Sequence, residues 1–134
     1  MNDQEFIDVV ARRAGVSHDQ AATLTPAALA TLAQRISGGE DDDIANQLPG
    51  ALGQHLRRPP GRADAEPLGL DEFVRRVSER SGVDQTLAMA GVRAVLTTIR
   101  EAVTGDEVTD MLSQLPKEFL QVIEPVTAGR RAGT

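Results

Sequence analysis

Apolar residues recur along this chain every three or four positions, the period of helices that each bury one face. Phe6, Val10 and Ala14 stand four apart with Ile7 and Val9 beside them, which predicts a helix from about Asp3 to Ala14. Gly15 can take the left-handed conformation past the last turn, and Val16 can then fold back onto it. Ser17, with Gln20 three residues on, reads as a capping box that opens a longer helix to about Ile36. Along that helix Leu24, Ala28, Leu32 and Ile36 form a stripe, with Leu29 alongside. The turn Ser37-Gly38-Gly39-Glu40 leads to a third helix marked by Ile44 and Leu48. Pro49 disfavours helix at the residue before it and suits the first turn of a short fourth helix, which carries Leu52 and Leu56.

The pattern then repeats. Residues 4–56, moved forward by 67 positions, lie on residues 71–123 without a gap. Glu5-Phe6 meets Glu72-Phe73, Gly15-Val16 meets Gly82-Val83, and Gln47-Leu48-Pro49 meets Gln114-Leu115-Pro116. Val74 and Val77 continue the first face, Asp84 is the N-cap of the long helix, and Gly91, Val95, Ile99 and Val103 form its stripe beside Leu96. After Thr104-Gly105-Asp106-Glu107 the third helix carries Val108, Met111, Leu112 and Leu115, and the fourth carries Phe119, Leu120 and Ile123. Where the first copy has Leu24 over Ala28, the second has Gly91 over Val95, a size exchange that keeps core volume. What recurs builds helices; it is not a set of reactive groups.

The fold class is therefore read as all-α: two tandem pseudo-symmetric helical repeats of about four helices each, packed into one compact helical bundle. Repeat one spans 3–56, a linker 57–70, repeat two 71–124 and a flexible tail 125–134, all within one domain. Pro59, Pro60, Gly61 and Pro67 mark the linker. A repeat of this size buries only about 60% of its unfolded surface, so sharing one core is the stable solution. Pro26 breaks the symmetry, since Arg93 holds the matching position. It removes a helical hydrogen bond, predicting a kink or brief break, with Thr25 placed to cap a restart.

Composition narrows the chemistry. Among 134 residues there is no Trp or Tyr, and Phe6, Phe73 and Phe119 are the only aromatics, so the core is aliphatic. The absence of Cys excludes disulfides, thiol chemistry and cysteine-ligated zinc, and fits a reducing compartment. An acidic N-terminus, and no apolar run near the roughly 20 residues that span a bilayer, predict a cytoplasmic address and no membrane partner. The net charge is −6, with three basic against eight acidic residues over 1–56 and six against nine over 71–123. Both repeats thus repel phosphate, which disfavours nucleic acid. Arg57, Arg58, Arg62, Arg130 and Arg131 lie in the linker and tail and read as solvating.

Phe in the first helix, the Gly-Val turn, the Ala-rich second helix and the acidic turn before Gln-Leu-Pro resemble bacterial proteins of domain-of-unknown-function family 2267. The resemblance covers nearly the whole chain in both copies. It implies an all-helical duplicated fold and brings no activity, cofactor or catalytic residue with it. Pro26 and the lack of an aromatic just after the last short helix depart from the family's pattern.

Candidate chemistry is sparse. Glu40-Asp41-Asp42-Asp43 could attract a cation, but the run lacks the alternating ligands and central Gly of a calcium loop. Glu40 and Asp43 match Glu107 and Asp110, in a first helical turn where the dipole favours acids. His18 and His55 lie on different helices, and their counterparts are Gln85 and Val122. With no G-x-S-x-G turn, P-loop or H-E-x-x-H helix, the sequence predicts no catalytic residue, metal site or cofactor. Gln47 and Gln114, polar in both copies beside Leu-Pro, read as amides that satisfy backbone groups freed at the proline, or as a paired recognition surface. The function read from this is a non-catalytic helical interaction module, acting by protein contacts or self-association. The alternative is a carrier of a small apolar ligand between the repeats.

Overall fold

The first helix, α1 (Asp3–Ala14), starts because Asn2 and Glu5 cap one another. The Asn2 side chain accepts from the Glu5 N–H at 2.8 Å, and the Glu5 carboxylate accepts from the Asn2 N–H at 2.8 Å. It stops at Gly15, whose φ of 71° is left-handed, with the Gly15 and Val16 amides both returning to the Ala11 carbonyl. Ser17 and Gln20 then exchange the expected capping bonds, each at 3.1 Å, and α2 (His18–Arg35) follows.

The computed structural model describes residues 2–35, 40–48, 52–56, 69–103, 113, 115 and 117–119, with the backbone alone for 35 and 40–43. Continuing along it are α3 (Glu40–Gln47), α4 (Leu52–Leu56), α5 (Leu70–Ser81) and α6 (Gln85–Ala102). The fold is all-α, and no strand occurs among the described residues. Helix α5 begins at Leu70 after Gly69, which has no side chain to cap with. Glu118 supplies the missing acceptor instead, its carboxylate taking the Leu70 N–H at 2.8 Å. Gly82, at φ 76°, ends α5, and Asp84 caps α6 by accepting from the Leu87 N–H at 2.8 Å.

Helix α2 runs unbroken through Pro26, so the brief break expected there does not occur. Thr25 does not cap a restart either; it is buried, and its hydroxyl has no hydrogen-bond partner among the described residues. Leu24, Ala27, Ala28 and Leu29 are buried on both sides of the proline, and this packing holds the helix across a missing bond that costs about 3 kcal/mol.

The helices pack crosswise. α1 lies against α6 as well as against its neighbour α2, and α5 lies against α2 as well as α6. α2 and α6 also touch each other, while α3 and α4 pair and α4 rests on α2. The buried side chains form one cluster, to which Phe6, Val10, Leu24 and Leu32 belong together with Phe73, Val77, Leu96 and Ile99. Leu48, Leu52, Leu56, Leu115 and Phe119 close it at the α3–α4 side and at the second half's last described turn. Phe119 stands edge-on to Phe73, ring centres 5.3 Å apart. The linker up to residue 68, the tail, Ile36, and most of the third and fourth helices expected in the second half lie outside the described residues, while the last linker residues, Gly69 and Leu70, open α5.

Candidate interaction surface

Gln47 is the last residue of α3, exposed at the point where the chain leaves the helix. Its fellow Gln114 lies outside the described residues, as do the side chains of Glu40, Asp41, Asp42 and Asp43, whose backbone forms the first turn of α3. His55 is exposed on α4. His18 has a partner that its sequence position did not suggest: Nδ1 lies 2.7 Å from Asp8 Oδ1, joining the start of α2 to α1 in solvent. Among the described residues no three His, Asp or Glu side chains converge as a metal ion needs.

Two buried hydroxyls take part in the polar contacts where the halves of the chain meet. Thr98 on α6, fully buried, donates to the Ala94 carbonyl at 2.6 Å and accepts from Arg13 Nη1 at 3.0 Å. Thr31 on α2, also fully buried, donates to the Ala27 carbonyl at 2.8 Å and accepts from Arg80 Nη1 at 2.7 Å. Each hydroxyl therefore uses its proton and a lone pair, which removes the burial penalty of a free OH. The other arm of Arg13 reaches Glu101 at 2.5 Å, and Arg76 reaches Gln34 at 3.2 Å. The sequence reading missed these residues. Their signal was present, because Arg13 with Arg80 and Thr31 with Thr98 are identical polar pairs at the 67-residue shift.

At the crossing of α2 and α6, Leu24 covers Gly91 so closely that a Cβ on Gly91 would stand 3.0 Å from a Leu24 methyl. The size exchange read from sequence is thus a direct contact between the two positions.

On the outside of α5 and α6 an open groove of about 510 Å³ is lined by Val74, Met89 and Ala90 among Asp71, Gln85, Thr86 and Arg93. A smaller depression of about 410 Å³ on α1 is framed by Glu5, Asp8, Val9 and Arg12. Beside the first groove, α5 carries a charge ladder. Arg75 bonds Glu72 and Glu79, and Arg76 also bonds Glu72, at 3.1 Å. The hydrogen bonds from Arg75 and Arg76 hold the Glu72 carboxyl below its ordinary 4.5, and Glu72 in turn pushes the Arg75 guanidinium up.

Among the described residues, six helices around one apolar core define an all-α bundle. The sequence profile of the family described as "Uncharacterized conserved protein (DUF2267)" matches residues 3–122, and the chain belongs to that family. No curated protein matches the chain. No helix among the described residues is long and apolar enough to cross a membrane.

Proposed function

We propose that the chain is a non-catalytic helical interaction module of the cytoplasm, acting through protein contacts or self-association, with neither nucleic acid nor membrane as its partner. The observation that carries this reading is the open groove over α5 and α6, where Val74, Met89 and Ala90 are set among Asp71, Gln85, Thr86 and Arg93. An apolar floor with a charged rim is the make-up of transient protein contacts. The groove lies within the second half of the chain and not between the halves. Leu24 packed onto Gly91 supports a filled seam between them, and so favours the interaction module over the carrier.

The test is a binding comparison. Wild-type protein and a Met89→Glu, Arg93→Glu variant are immobilised, and a protein retained by the first and lost by the second is purified and re-bound in isolation. Sedimentation over a range of concentrations covers self-association with the same two proteins. Equal retention by both, or a stoichiometric apolar molecule found by native mass spectrometry, would overturn the reading in favour of a different surface or of the carrier.

A further inference from the structure

Matched positions in the two copies stand 67 residues apart, and the contacts between the copies respect that spacing. Shifted by 67, Asp3–Ala14 becomes Leu70–Ser81 and His18–Arg35 becomes Gln85–Ala102, so α1 matches α5 and α2 matches α6. Arg13 of α1 donates to Thr98 of α6, and its match Arg80 of α5 donates to Thr31 of α2, the match of Thr98. Where α2 crosses α6, Leu24 faces Gly91, its own counterpart. A two-fold axis gives this pattern. In an isologous interface residue i meets j while j meets i, and only a position on the axis meets its own equivalent. Head-to-tail stacking of repeats would instead bury one arginine–threonine contact and leave the other copy of it open at an end.

We infer that the seam is an internal two-fold protein–protein interface, in which each repeat is the other's partner, and that Leu24 opposite Gly91 fixes which repeat pairs with which. On the axis two equal side chains compete for one space. Two repeat-one faces would bring two Leu24 side chains into it, and two repeat-two faces would leave it empty between two Gly91 residues. One Leu against one Gly fills it once. The partner that fits either face is therefore the opposite repeat, of this chain or of a second copy that exchanges repeats with it. Having both repeats in one chain is what lets the axis pair be unequal. This pairing rule holds whatever outside partner the module takes.

Exchanging the two side chains tests it. L24G empties the space and G91L overfills it, so each lowers the thermal midpoint of the full chain. L24G/G91L rebuilds the same pair in reverse order, and the helix-propensity effects of losing one glycine and gaining another offset. Its midpoint is expected above those of both single variants. A midpoint below both, lowered by the sum of their losses, overturns the two-fold seam, because the surroundings of the two positions would then differ. Should G91L yield no folded protein, a permuted full chain decides: residues 69–124, then 57–68, then 2–56, then 125–134. A two-fold makes the span from the end of either repeat to the start of the other equal, so the permuted chain is expected to reach wild-type helicity and melt in one step. An unfolded product, or two melting steps, overturns the inference.

Discussion

The four buried threonines among the described residues separate into two kinds. Thr31 and Thr98 each satisfy their hydroxyl twice, whereas the hydroxyls of Thr25 and Thr97 have no partner among the described residues. A valine has nearly the same shape without the hydroxyl, so the two kinds should respond with opposite sign. Thr25→Val is expected to raise stability by about 1 kcal/mol, since it removes an unpaid desolvation, and Val92 already occupies the matching place in α6. Thr98→Val and Thr31→Val withdraw an acceptor from an arginine and should cost about 1–2 kcal/mol. Urea unfolding midpoints of the three variants check this, and the same sign for all would refute the distinction. Gly53 gives a second residue-level expectation. A Cβ there would lie 2.3 Å from the Ala45 carbonyl oxygen, so α4 can approach α3 only without a side chain. Gly53→Ala should therefore destabilise by about 1–3 kcal/mol despite the roughly 1 kcal/mol that alanine gains in helix propensity. In the sequence the threonine pairing left one signal, the match of Arg13 with Arg80 and of Thr31 with Thr98 at the 67-residue shift, and the close approach at Gly53 left none. A threonine's partner and the distance from a glycine to a neighbouring helix depend on residues far along the chain.

Local rules account well for the helices themselves. Gly15, Gly82, the Ser17–Gln20 box and Asp84 mark the ends where the structure has them, because caps are set by the residues within one turn. Pro26 shows where such rules stop: it predicts a local break, yet burial on both flanks keeps α2 continuous. The start of α5 is a second case, as its cap comes from Glu118, 48 residues away. On α5 itself, Glu72 makes stability depend on acid. Its carboxyl is lowered by Arg75 and Arg76, so its contribution is fully present above the ordinary 4.5 and is lost as the pH falls through the lowered value. Glu72→Gln should thus show a shallower fall in melting temperature below about pH 4.5 than the wild type, by a small amount because the ladder faces solvent. An identical acid limb in both proteins would show that the ladder contributes nothing. For the first turn of α3, the acids Glu40 to Asp43 are expected to be solvated and to favour the helix dipole without a cation. Melting in EDTA and then in millimolar calcium, magnesium or zinc should give the same temperature. A rise that vanishes when Glu40, Asp42 and Asp43 are neutralised would establish a cation site instead.

For the whole molecule, the single cluster containing Phe6 and Phe73 implies that the halves unfold together. Both rings are fully buried, so Phe6→Ala and Phe73→Ala should each cost about 3–5 kcal/mol within one cooperative transition. Calorimetry and circular dichroism with coincident midpoints would agree with this; two separated transitions would mean two independent units. The sequence by itself determined that the chain is helical, where α1, α2 and α6 begin, where α1, α5 and α6 end, and which stripes are apolar, because period and caps act over a few residues. It also held the 67-residue correspondence. What it left open is how the copies face one another, since amphipathic stripes state that a face is buried and not against what. Tertiary structure decided that α1 reaches across to α6 and α5 to α2, that Arg13 and Arg80 bond Thr98 and Thr31, and that Leu24 rests on Gly91. Close packing is the physical reason: a space can be filled only once, and which side chain fills it is settled where two helices cross.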